Sequence, residues 1–272
     1  MRFLLIGVCI VSVLFSCKVE ANDSRSENTR SVKIWAHRGC SCRYPENTLS
    51  AFKAACDLRG LAGIELDIQL TKEGEIVVIH DETVDRTTDG SGNVRDFTLQ
   101  DIQNLKIGND GAERIPTMRE VLELVKPFCK RNGLLINIEL KNSRVRYEGM
   151  EEKILRLVKE YGLDASIVYS SFNPDSLVLL KKLDPSVKTG ILNSSESACL
   201  DFAMTHEVDA LHPSVKHLDV ADIRDKTSLP IRIWGATESF YPKEAEYEVV
   251  DVKNMEGIGV TDFITNVPEA YL

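Results

Sequence analysis

From Val32 onward, short apolar runs alternate with longer stretches whose apolar residues recur every three or four positions. The first kind reads as buried strand and the second as amphipathic helix. Val32–Ala36 (V-K-I-W-A) is a short strand. After a loop, Pro45-Glu46-Asn47-Thr48 opens a helix with Asn47 or Glu46 near its cap, and Leu49, Phe52, Ala55 and Cys56 keep helical spacing up to Gly60. Ile64, Leu66, Ile68 and Leu70 then alternate with Glu65, Asp67 and Gln69, the period of two of a strand. Thr71–Glu75 is too short for a parallel crossover, so Ile76–His80 should return antiparallel. Centring that turn near Glu73 sets His80 opposite Leu66, beside Asp67.

The rhythm breaks over 82–114, where a turn-rich tract (Arg86 to Gly92) precedes a short helix over Thr98–Leu105. We read this as an insertion lying over whatever the first strands present, not as a second domain. Beyond it, helices over Thr117–Arg131, Glu148–Tyr161, Pro174–Leu183, Glu196–His206, Val220–Lys226 and near Lys243–Met255 alternate with strands. The strands fall at Leu134–Leu140, Ile167–Ser171, Lys188–Leu192, Asp209–His212, Ile231–Gly235 and Val260–Thr265, ahead of a short tail helix. Leaving out the returning hairpin strand, eight strand–helix units follow in order, which predicts an α/β fold of the (β/α)8 TIM-barrel type. An open doubly wound sheet uses the same ingredients, but no G-x-G-x-x-G follows the first strand.

Length and charge narrow the reading. A chain of 272 residues suits one large barrel or two small domains. Net charge is −9 with no basic run, which excludes a nucleic-acid partner and suits a solvated acidic surface. Residues 1–21 read as a leader: Arg2 supplies the positive start and Phe3–Phe15 an apolar core too short to span a bilayer comfortably. Two exits are open. Leu14-Phe15-Ser16-Cys17 resembles a bacterial lipobox, in which Cys17 would be lipidated and tether the protein to a membrane. Val19-Glu20-Ala21 instead offers the small residues an ordinary signal peptidase needs. Either exit predicts export to a bacterial cell envelope or periplasm. A polar tether over 22–31 then leads to one barrel domain over 32–272. The five cysteines beyond the leader (Cys40, Cys42, Cys56, Cys129, Cys199) are odd in number and irregularly spaced, so no disulfide framework is expected.

Candidate chemistry gathers at the C-terminal ends of the first strands, where barrel enzymes keep it. Glu65 and Asp67 point the same way from an apolar strand, a costly pairing unless a cation or donors neutralise it. The hairpin brings His80 and Asp81 beside them, and His37-Arg38 ends the first strand. In Leu134–Lys141, Asn137, Glu139 and Lys141 share a face. Glu65, Asp67 and Glu139 supply three hard oxygen ligands suited to one divalent cation, Ca2+ or Mg2+. Arg38 and Lys141 add positive charge for a phosphate, and His37 and His80 are an acid–base pair of suitable intrinsic pKa. Taken singly, each residue has a plainer explanation: a structural histidine, a Glu139–Lys141 ion pair, an Arg38–Asp81 pair. Two histidines, three acids and two cations at the ends of three strands outweigh those explanations together. His212, followed by Pro213, ends a strand and, with Trp234, is a candidate for the substrate rim; His206 and His217 keep no comparable company.

These residues resemble the glycerophosphodiester phosphodiesterase family in order and spacing. The chain carries H-R-G (His37–Gly39), P-E-N-T (Pro45–Thr48), E-L-D (Glu65–Asp67) and H-D (His80, Asp81). R-T-T (Arg86–Thr88), I-P-T (Ile115–Thr117), E-L-K (Glu139–Lys141), S-S-F-N-P (Ser170–Pro174) and a late Trp234 continue the match. The resemblance implies a barrel with an insertion after H-D, metal ligands at Glu65, Asp67 and Glu139, and acid–base histidines at His37 and His80. It also implies cleavage of a glycerophosphodiester to an sn-glycerol 3-phosphate-type monoester and an alcohol. Other readings are a phospholipase D or C acting on lyso- or intact lipid, and a non-catalytic envelope protein that binds phosphodiesters. The chain departs from the family late. Trp234-Gly235-Ala236-Thr237 stands where W-x-V-N is frequent, and Thr265-Asn266-Val267-Pro268 where T-D-x-P is frequent. Both departures are expected to touch neither the metal nor the histidines, and to bear on substrate choice.

Overall fold

Eight parallel strands close into a ring in the computed structural model, which describes residues 32–108, 111–217, 226–235, 251–257 and 259–272. In chain order the strands are β1 (Lys33–His37), β2 (Gly63–Leu70), β3 (Ile76–Val78), β4 (Leu135–Leu140), β5 (Ile167–Ser171), β6 (Lys188–Asn193), β7 (Ala210–Pro213), β8 (Arg232–Ile233) and β9 (Asp262–Thr265). The ring runs β7-β6-β5-β4-β2-β1-β9-β8, and parallel bridges Leu211–Ile231 and Ser214–Trp234 join its two ends. This is the barrel expected from the alternation. β3 stands outside the ring, antiparallel to β2, with Ile68 opposite Val78. Extending that register puts His80 across from Leu66, where the short turn required it, although regular pairing stops at Val78.

The described helices are α1 (Leu49–Cys56), α2 (Leu99–Asn104), α3 (Met118–Asn132), α4 (Met150–Tyr161), α5 (Pro174–Leu183), α6 (Glu196–Thr205) and α7 (Val252–Gly257). The helix expected over Val220–Lys226 falls almost wholly outside the described residues, as do the start of the last helix and the segment 1–31. The apolar faces of α3 and α4 pack on the outside of the ring. Met118, Val121, Leu122 and Val125 of α3 and Ile154, Leu157 and Val158 of α4 are buried, each worth about 1.5–3 kcal/mol over exposure. Threonines start several of these helices. Thr98 and Thr117 form capping boxes with Asp101 and Glu120, and Thr48 Oγ1 accepts from Ala51 N. Thr48 is therefore the cap of α1, not Asn47 or Glu46, whose side chains turn to the site instead. The five cysteines are free thiols.

Inside the ring, space is shared between rings and glycines. A Cβ on Gly63 would lie 2.3 Å from Trp35, and one on Gly190 would lie 2.3 Å from His212 Nε2. Trp35 donates to Asp262 (2.7 Å) while the Arg232 guanidinium stacks on its ring at 4.0 Å and reaches Asp262 (3.3 Å) and His212 Nε2 (3.1 Å). The barrel floor is thus a closed polar cluster. His212 belongs to it: its side chain is fully buried, and burial with the Arg232 charge holds its pKa well below the usual range. The expectation that His212 lines a substrate rim is corrected. His212 pairs in register with Leu192, so it shares the inward face of the sheet and points into the ring.

The insertion has its own small apolar cluster, in which Val84, Val94, Ile102, Ile107 and Ile115 pack beneath Val77 and Ile79. It flanks the barrel mouth. Its described residues do not line the pocket there, and Arg86 is the one that reaches the site's ion pairs.

Candidate active site

A cavity of about 370 Å³ opens at the C-terminal end of the strands. His37, Arg38, Glu65, His80, Asn137 and Glu139 line its polar side; Phe172, Leu192, Trp234 and Ile264 line an apolar side, with Ser194, Ser214 and Lys216. Trp234 is therefore at the pocket, its Nε1 donating to the His212 carbonyl (2.8 Å) and its ring edge-on to Phe172 at 5.5 Å.

Parallel register brings the acids together. Glu65 pairs with Asn137 and Asp67 with Glu139, so the carboxylates of β2 and β4 face inward side by side. One oxygen from each of Glu65, Asp67 and Glu139 lies within 4.8 Å of the others, and all three residues are buried. Burial, then the Asp67 and Glu139 charges, raises the Glu65 pKa well above the usual carboxylate range. Burial also raises Glu139, against the pull of Lys141. Asp67 goes the other way: burial opposes its ionisation, but His80, Arg38, Lys141 and a hydrogen bond from Asn47 outweigh it. Asn47 Nδ2 donates to Asp67 Oδ2 at 2.8 Å, whereas Asp67 Oδ1 is buried and accepts no hydrogen bond. An orphaned carboxylate oxygen beside two acids of raised pKa fits a divalent cation held by hard oxygens. Three carboxylates face two nearby cations, Arg38 and Lys141.

Arg38 sits at φ 57° ahead of Gly39 at φ 81°, a left-handed pair that turns the chain sharply at the end of β1. A side chain on Gly39 would also collide with the Ala51 backbone, 2.6 Å from a built Cβ, so H-R-G needs its glycine. The turn aims Arg38 at Glu46 (2.8 Å) and Asp67 (3.3 Å). Lys141 is not among the pocket-lining residues; its Nζ lies 2.9 Å from Glu139 and 3.9 Å from Asp67. Lys141 therefore neutralises the acids, while Arg38 lines the pocket.

The two histidines are held differently. His37 Nδ1 donates to Asn266 Oδ1 at 2.6 Å, which leaves Nε2 on the side of Glu65, 3.7 Å away. Burial and the Arg38 charge lower its pKa to about 3, so the ring is neutral. His80 is partly exposed, and its Nδ1 donates to Asp81 Oδ1 at 2.6 Å. Gln69 steadies its backbone: the Gln69 amide lies within bonding reach of the carbonyls of Ile79, His80 and Asp81, and Tyr147 OH donates to Gln69 Oε1 (2.9 Å). Where β3 stops pairing, a side chain of β2 takes over.

The family model for the glycerophosphoryl diester phosphodiesterase family matches residues 37–270, from this first histidine to the last turn of the chain. The chain belongs to that family. A glycerophosphodiester phosphodiesterase of Caldanaerobacter subterraneus subsp. tengcongensis is 40% identical over 247 residues, covering 88% of this chain and 96% of that protein. One from Bacillus altitudinis is 36% identical over 244 residues, covering 88% and 96%. Among solved structures, an Oleispira antarctica phosphodiesterase in complex with the product sn-glycerol-3-phosphate is similar at 26% identity and TM-score 0.72, covering 88% of this chain and 94% of that one.

Membership sharpens one correction. Asn266 stands where the family frequently has the aspartate of T-D-x-P, and it was expected to lie clear of the histidines. It is instead the partner of His37. A neutral amide orients the ring as a carboxylate would, but adds no charge to favour imidazolium. Reading the residues alone also missed Asn47, taken for a helix cap, and Gln69. P-E-N-T carried the signal for the first; nothing local singled out the second.

Proposed function

We propose that this protein is a divalent-cation-dependent phosphodiesterase that hydrolyses glycerophosphodiesters to sn-glycerol 3-phosphate and an alcohol. What carries the reading is the meeting, at one pocket, of a buried three-acid cluster, a pocket-lining arginine and two histidines in different environments. Glu65, Asp67 and Glu139 would hold the cation, Ca2+ or Mg2+. When bound, it supplies positive charge against the phosphate oxygens. Arg38 adds fixed donors on the same group. His37, neutral and with Nδ1 committed to Asn266, accepts at Nε2 a proton from the attacking water, whose oxygen bonds to phosphorus. His80 is oriented by the Asp81 carboxylate at Nδ1 and gives the proton on Nε2 to the leaving alcohol. The bond broken joins phosphorus to that alcohol oxygen. Phe172, Leu192 and Trp234 offer apolar surface to the carbon skeleton of the substrate.

Export remains part of the proposal: a leader over 1–21 and lipidation at Cys17 would place the enzyme in a bacterial envelope, where glycerophosphodiesters from phospholipids arise. Assaying glycerophosphocholine, glycerophosphoethanolamine and lysophosphatidylcholine side by side, with Ca2+ or Mg2+ present, tests the reaction. Release of sn-glycerol 3-phosphate from the first two is expected. Turnover of lysophosphatidylcholine alone would move the assignment to a phospholipase, and turnover of none to a phosphodiester-binding protein.

A further inference from the structure

Two of the motifs, P-E-N-T and R-T-T, hold residues that the chemistry above leaves without a task, Glu46 and Arg86. In the fold they meet, although they lie 40 positions apart. Arg86 Nη1 and Nη2 donate to the two oxygens of Glu46 at 2.7 and 2.8 Å. The same guanidinium donates from Nε and Nη2 to the two oxygens of Asp81 at 2.7 and 3.0 Å. Asp81 in turn accepts from His80 Nδ1, and Glu46 Oε1 accepts from Arg38 Nη1 at 2.8 Å. One unbroken chain of hydrogen bonds therefore runs His80, Asp81, Arg86, Glu46, Arg38.

Stability is a poor explanation for it. Glu46 is only 7% exposed in its side chain, and removing a carboxylate from water is costly unless geometry repays it. Arg86 is 45% exposed, so solvent screens part of what its two bidentate pairs contribute. What the arrangement does achieve is orientation. A planar fork held by two carboxylates, each gripped twice, leaves Arg86 one position, and Asp81 inherits it. Gln69 holds the Asp81 backbone, and the Arg86 fork fixes the carboxylate that aims the ring.

We propose that Arg86 is a positioning residue, locked by Glu46, that aims His80 through Asp81, and that Glu46 sets the aim of Arg38 at the same time. The inference rests on the proton-transfer reading of His80. It assigns the insertion a purpose: delivering one guanidinium to the barrel mouth. Arg86 never touches substrate; its effect should appear only where the His80 proton is needed.

The test compares a glycerophosphodiester with an alkyl leaving group, glycerophosphoethanolamine, and one with p-nitrophenol, which leaves without a proton. For Arg86→Gln, kcat on the alkyl diester should fall roughly tenfold to a hundredfold, with KM little changed and kcat on the aryl diester within about twofold. Arg86→Lys should not rescue, because a point charge cannot grip two carboxylates at once. Glu46→Gln should lower kcat on the alkyl diester and also raise KM for both substrates, since it releases Arg38. Equal losses on both substrates for Arg86→Gln, accompanied by a lower melting temperature, would make the chain merely structural and overturn the proposal. So would unchanged kcat on both. His80→Ala is the control: near-normal alkyl turnover there sinks the proton-transfer reading itself, whereas its loss beside an unaffected Arg86→Gln sinks only the positioning role.

Discussion

Loading the acid cluster with a cation should stabilise the fold in a way that depends on pH. Glu65 folds with a raised pKa because of burial and the neighbouring Asp67 and Glu139 charges. Its neutral form therefore stabilises the metal-free protein fully below its unfolded value near 4.5, and that contribution disappears as the pH rises through the raised folded value. Asp67 works in the opposite sense, contributing above its unfolded 3.8 and losing that contribution in strong acid. Ionising the metal-free cluster thus builds repulsion that a cation relieves. A ligand at a hundred times its Kd stabilises by about 2.7 kcal/mol. For a domain of this size, each kcal/mol moves Tm by about 2–4 °C, which gives an upward shift of roughly 5–10 °C. Calorimetry or dye-based melting in EDTA, then in Ca2+ or Mg2+, reads it directly, and the shift should grow between pH 5 and pH 8. Glu65→Gln should melt in EDTA no lower than the parent, because an amide removes one buried like charge, and should lose most of the shift. Identical melting with and without cation at pH 8, or a full shift retained by Glu65→Gln, would refute the cluster as a metal site.

Replacing His37 or His80 by Ala should lower kcat by roughly a hundredfold to ten-thousandfold while leaving the cation-induced Tm shift intact; loss of that shift in His80→Ala would make the residue a ligand. Asn266→Ala should cost His37 its fixed tautomer and lower kcat by about tenfold or more, whereas a change in KM alone would return Asn266 to substrate selection. Cys17→Ser should release the full-length protein from membranes in fractionation; identical fractionation of both forms would favour processing after Ala21.

What the sequence determined alone was everything set by short-range geometry. A strand's period of two puts Glu65 and Asp67 on one face whatever the rest of the chain does. A five-residue connection leaves β3 only an antiparallel return, so the placing of His80 followed from counting about Glu73. Repeated strand–helix units implied a barrel because parallel strands need crossovers, and helical crossovers cover the outer face of the sheet. The tertiary structure decided whatever depends on ring closure. β9 lies beside β1 only when all eight strands are in place, so the partner of His37 is Asn266, 229 positions away. The same closure turned His212 inward onto Arg232, when its position at a strand end suggested the rim. Thr48 displaced Asn47 as helix cap because Asn47 is drawn to a carboxylate 20 positions away, a competition that no local propensity records. Pairings within a hairpin cost little entropy and leave their mark in spacing; pairings across a barrel are fixed collectively, and single residues carry no trace of them.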